Sequence, residues 1–132
     1  GTHASVSGSG NNLVMYCFHS VEGFSKIGSY TGNGSADGPF VYLGFRPAFV
    51  MVKRTDSTGN WLMLDVTRDG GYNPVDQELV ANAANAEGSG YITDSLSNGF
   101  KLRLDNANVN ASGGTYIYMA FAEMPMKYSL AR

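Results

Sequence analysis

Four carboxylates crowd the middle of the chain: Asp65, Asp69, Asp76 and Glu78. Paired carboxylates across a cleft are what glycoside hydrolysis requires, one as acid and the other as base or nucleophile. Here they border the turn-rich stretch RDGGYNP, where acids more commonly shape turns or cap elements, so no catalytic residue is assigned. The histidines are His3 and His19, and the single cysteine is Cys17. Neither histidine belongs to a metal-ligand spacing and no second cysteine exists to help, so neither a metal nor a cofactor is expected. Cys17 and His19 stand two apart and would share a strand face, but no third group orients them as a nucleophile–base pair. Cys17 lies within LVMYCF and is expected to be a buried small hydrophobe. DNANVNASGG departs from the calcium-loop template, with neither the central Gly nor the terminal Glu in place. GNGSADG lacks the helix that a phosphate-binding loop opens. The sequons at Asn33 and Asn110 matter only for a chain handled by a eukaryotic secretory pathway.

The chemistry left is recognition. Arg68, Asp69, Tyr72 and Asn73 combine a planar ring with polar groups on a Gly-Gly turn. Such a ring stacks on the C–H face of a sugar while its neighbours bond hydroxyls. The loop from Asp56 to Asn60 is the second candidate, with Asp56 and Asn60 as its polar ends. The competing expectation is that Asp69 and Asn73 only form the turn and that Tyr72 folds back onto the sheet. Trp61 and Tyr42 are weighed the same way, with core packing the commoner role for an aromatic.

These residues must be carried by strands. The 17 glycines of the 132 residues punctuate short apolar runs, the pattern of an all-β domain. The runs are LVMYCFHS, GFSKIGSY, FVYLGF, AFVMVKR, NWLMLDVT, GYITDSL, GFKLRL and TYIYMAFAE, each rich in aromatic or β-branched residues. Residues 49–54 and 61–66 are expected to form an antiparallel hairpin across DSTGN, Val50 and Val52 facing opposite to Phe49 and Met51. Phe100, Leu102 and Leu104 alternate with Lys101, Arg103 and Asp105, a half-exposed strand. TYIYMAFAE is apolar on both faces and reads as a central strand covered on both sides. Residues 74–87 carry helix signals, with Asn73 as cap, Pro74 at the first position and acids in the first turn. Asn82 and Asn85 argue against that, so one short helix or an extended crossover is expected there.

Residues 1–12 read as a flexible leader and 13–132 as one domain, long enough to bury a real core. The chain starts at Gly1 without an initiator Met, which suggests a fragment or processed product. A formal net charge of −2 speaks against nucleic acid, which demands a basic patch. No apolar run is long enough to insert in a membrane. Charged residues make up only 15%, which fits a surface partly withdrawn from water in an oligomer.

YCFHSVEGFSKIGSYTGNGSADGPFVYLGFRPAFVMVKRTDSTGNW resembles a recurring segment of phage tail proteins. SLSNGFKLR and NASGGTYIYMAFAEMPMKY resemble later segments of the same family, whereas GGYNPVDQELVANAANAEG matches more loosely. The resemblance covers about residues 14 to 132. It implies the C-terminal domain of a tail-fibre-like or tail-associated protein, located in the virion and assembled in the bacterial cytoplasm. The expected fold is an antiparallel β-sandwich, jelly-roll or lectin-like. The expected role is attachment to the host surface through a glycan or other receptor, with the chain a homotrimer. The rival expectations are a structural or trimerisation module that decorates the virion, and a polysaccharide-degrading enzyme.

Overall fold

The computed structural model describes residue 10 and residues 12–124. The leader expected over 1–12, apart from residues 10 and 12, and everything after 124 lie outside the described residues. Among the described residues the strands are β1 (Ser25–Thr31), β2 (Phe40–Tyr42), β3 (Pro47–Arg54), β4 (Trp61–Asp65), β5 (Val75–Val80), β6 (Gly88–Leu96), β7 (Gly99–Leu102) and β8 (Thr115–Ala122), with one helical turn, α1 (Ala107–Asn110), before β8. The fold is all-β and wholly antiparallel, one eight-stranded sheet in the order β1-β8-β3-β4-β5-β6-β7-β2. Strands β3 to β7 form a meander. The last strand is tucked between β1 and β3, and β2 returns to pair with β7.

The sheet curls until its halves face each other as the layers of a sandwich, nearly closing a barrel. Its free edges, β1 and β2, approach at a seam where the Lys26 Nζ donates to the Tyr42 carbonyl oxygen at 3.0 Å. Alternation explains the interior. Val50, Val52, Leu62, Phe100, Leu102, Tyr116, Tyr118 and Ala120 point inward and are buried together with Val41 and Val109. Tyr30 from β1 stacks on Tyr116 with centroids 5.0 Å apart and meets Phe100 edge-on. Burial, reinforced by the neighbouring Tyr116, raises the Tyr30 phenol far above its ordinary range. Its hydroxyl donates to the Val109 carbonyl at 2.7 Å, so this buried polar group is satisfied.

The β3–β4 hairpin forms as expected, with Val52 opposite Leu62 and Met51 opposite Met63. Of the two alternatives for residues 74–87 the extended one holds: Val75–Val80 is strand β5, hydrogen-bonded on one side to β4 and on the other to β6, and ladder pairing on both edges outweighs local helix signals. Two expectations are corrected. LVMYCFHS is not a strand; residues 12–20 have no regular secondary structure and do not join the sheet, and Cys17 is exposed rather than buried. Strand β8 is central, yet covered fully on one face only: Tyr116, Tyr118, Ala120 and Ala122 are buried, while Ile117 is 38% exposed and Met119 and Phe121 are half-buried.

Candidate functional site

The loop after β4 is built by its own polar groups. Gly70 and Gly71 both adopt positive φ, at 72° and 87°, a backbone that glycine takes without steric cost. The Asp69 Oδ1 accepts the backbone N–H groups of Asp76 (3.1 Å) and Gln77 (3.2 Å), fastening the loop to β5. Asn73 pairs reciprocally with Ser95 of β6, its Nδ2 donating to the Ser95 carbonyl at 2.9 Å and its Oδ1 accepting the Ser95 N–H at 2.8 Å. Arg68 forms an ion pair with Glu87. The Gly71 carbonyl accepts from Arg46 at 3.3 Å, and Arg46 also pairs with Glu123 at 3.1 Å.

Four fastenings therefore hold this loop against β5, β6, the segment before β6 and the turn before β3. From the middle of it Tyr72 projects into solvent with 78% of its surface exposed. The ring does not fold back on the sheet. The turn-forming role foreseen for Asp69 and Asn73 is what the structure shows, and the loop of RDGGYNP is a pinned platform presenting one aromatic face.

The second candidate group is elsewhere. Asp56 is bound by Arg54 at 2.8 Å, and this hydrogen-bonded guanidinium holds its carboxyl below the usual range. The Asn60 Oδ1 accepts from the Asn82 Nδ2 at 3.2 Å. These residues precede β4, whereas Arg68 to Asn73 follow it. Five strand residues place the two groups about 15 Å apart, at opposite ends of the sheet.

At the Tyr72 end, the β1–β2 seam opens into a hollow of about 360 Å3 walled by Ser20–Gly23, Ser25, Lys26 and Tyr42–Phe45. Tyr42 is 59% exposed and the Lys26 ammonium stands 5.0 Å from its ring centroid, a cation–π distance. Arg46, one residue beyond this hollow, also holds Gly71, so the hollow and the Tyr72 platform share a support. The sequence had marked Tyr42 only as an aromatic of uncertain role. Its exposure follows from its place at the end of a three-residue edge strand, which the sequence did not disclose.

The Asp65 Oδ1 accepts the Thr67 N–H and the Asp76 Oδ1 the Gly90 N–H, while Glu78 is buried. Among the described residues no three His, Cys, Asp or Glu side chains are grouped as metal ligands, and no helix is long and apolar enough to cross a membrane.

The chain belongs to the family described as a domain of unknown function, DUF7483, whose profile matches residues 1–125. Neither a curated protein nor a solved structure matches the chain.

Proposed function

We propose that this domain is an attachment module of a phage tail fibre or tail-associated protein, and that it binds polysaccharide on the host surface through the Tyr72 platform. The reading joins the sequence resemblance to one observation: an aromatic ring, 78% exposed, on a loop whose other polar residues are already fixed. Exposing a large ring costs apolar area that burial would have contributed, and a pinned loop loses little further freedom on binding. Arg68, partly exposed and paired with Glu87, lies on the same loop and in this reading would share itself with a sugar hydroxyl. The Asp56–Asn60 loop, at the far end of the sheet, is not part of this site.

A homotrimer on the virion would present three such platforms, and linked weak sites gain avidity without new contacts. The test is a glycan array probed with the purified domain and with its Tyr72→Ala variant, alongside a reducing-sugar assay on bound glycans. Binding by the parent alone, without release of reducing ends, supports attachment. Silence on the array points to a structural module, and reducing ends to an enzyme.

A further inference from the structure

The outside of the sheet is as informative as its interior. Register aligns Ile27 with Met119, Met119 with Met51, Met51 with Met63 and Met63 with Leu79. This is an unbroken apolar row across β1, β8, β3, β4 and β5. It contains no charge and three of the chain's six methionines. Ile27 is 36% exposed and the other four are half-buried. Methionine is adaptable at contact surfaces and enriched in interface cores, from which charge is depleted. Along this face runs an apolar groove of about 380 Å3, with Trp61 on one flank and Tyr16 and Phe18 on the other.

The chain itself shows what this face accepts. Segment 12–20 is tied down at its end, where the Ser25 Oγ donates to the His19 carbonyl and the Ile27 N–H to the Ser20 Oγ, both at 3.0 Å. From there Phe18 packs edge-on against Phe121 at 6.1 Å. Upstream, Met15, Val14 and Leu13 continue the same apolar character but are 83%, 80% and 52% exposed. One chain thus carries an apolar acceptor face and an exposed apolar segment of the kind that face already holds. These are different surfaces, and joining them between copies gives a head-to-tail contact, which closes into a ring when the rotation allows.

We propose that a second copy of this chain covers the outer face of β1, β8, β3, β4 and β5, with Leu13–Met15 of each copy laid on the face of the next. The proposal names the surface behind the self-association in the reading above, and uses no residue of the Tyr72 platform. The experiment is light scattering across a concentration series on the full chain, Met15→Glu and Met63→Lys. Met15 is so exposed that its replacement leaves the fold intact, and circular dichroism checks this for both variants. The parent should be an oligomer at micromolar concentration. Each variant should dissociate at concentrations roughly thirtyfold higher, the effect of losing one central interface residue. A parent that stays monomeric overturns the proposal, as does a folded Met15→Glu that assembles like the parent. Tyr72→Ala should lose glycan binding without changing mass, so failure of the glycan reading and failure of this one are separate results.

Discussion

Asn110 and Asn33 hold each other twice: the Asn110 Oδ1 accepts the Asn33 backbone N–H at 2.8 Å, and the Asn110 Nδ2 donates to the Asn33 Oδ1 at 3.1 Å. The same Nδ2 also meets the carbonyls of Ser35 and Leu104, each at 2.8 Å. Asn110 is wholly buried, so it ties the β1–β2 connection to the β7–β8 connection from inside. Asn110→Ala should cost about 3 kcal/mol, since several bonds are lost and their partners stay buried. Thermal melting should fall by on the order of 10 °C. A shift within error would show that water replaces the amide.

Tyr72→Ala should leave stability nearly unchanged, by well under about 1 kcal/mol, because an exposed ring contributes little to folding. Attachment to host cells or to immobilised glycan should be lost. Undiminished binding by this folded variant would remove Tyr72 from the site.

Glu78 sits on the inner side of β5 between Leu64 and Gly88, 8% exposed, and its Oε2 has no hydrogen-bond partner. Burial, with a smaller contribution from the charge on Asp76, raises its carboxyl above the ordinary 4.5. The native state therefore binds this proton more tightly than the unfolded chain does. Its contribution is full at low pH and is lost as pH rises from about 4.5 through the raised value. Glu78→Gln should melt higher than the parent at neutral pH, the gain shrinking as pH falls to about 4. An equal gain at every pH would trace the effect to shape instead of charge.

Gly99 opens β7 opposite Tyr42. A Cβ there would collide with the Val41 carbonyl oxygen and meet the Phe40 ring at 2.9 Å. The first obstacle is backbone and cannot rotate away. Gly99→Ala should destabilise by about 2 kcal/mol, as overpacking does, and should raise amide exchange in residues 40–42 first. Unchanged exchange there would show that β2 is held by something other than its pairing with β7.

How much of this was legible depends on what each residue has to satisfy. Val50, Val52, Leu62 and Leu64 alternate with half-exposed partners, so their hairpin could be read directly. LVMYCF could not be placed, because an apolar run looks the same inside a sheet and lying over one. Pro74 and the acids after it spell a helix start locally, but β4 and β6 supply ladder partners that a short sequence window cannot see. The helical turn at Ala107–Asn110 was missed in its Asn-rich setting, although the Asn106 Oδ1 caps it by accepting the Asn108 N–H at 2.8 Å. At the candidate site, the turn residues around Tyr72 left two positions open for its ring, outward or folded back on the sheet, and the structure shows it outward. Nothing in the sequence separates an Asp69 that awaits a hydroxyl from one already bonded to two amides.

The place of β8 has a consequence for how the chain is made. β8 pairs with β1 and β3, so the last strand among the described residues stands between two of the earliest. Until residues 115–122 have emerged from the ribosome, β1 has no neighbour in the sheet and one edge of β3 is open. The hairpin and meander from β3 to β7 can form as they appear, but the interior around Tyr30, Tyr116 and Tyr118 cannot close. The interior thus closes only once β8 is available, through contacts of long sequence separation that form slowly. A nascent chain stalled before residue 115 exposes an unpaired edge and an apolar interior, the features by which growing chains aggregate.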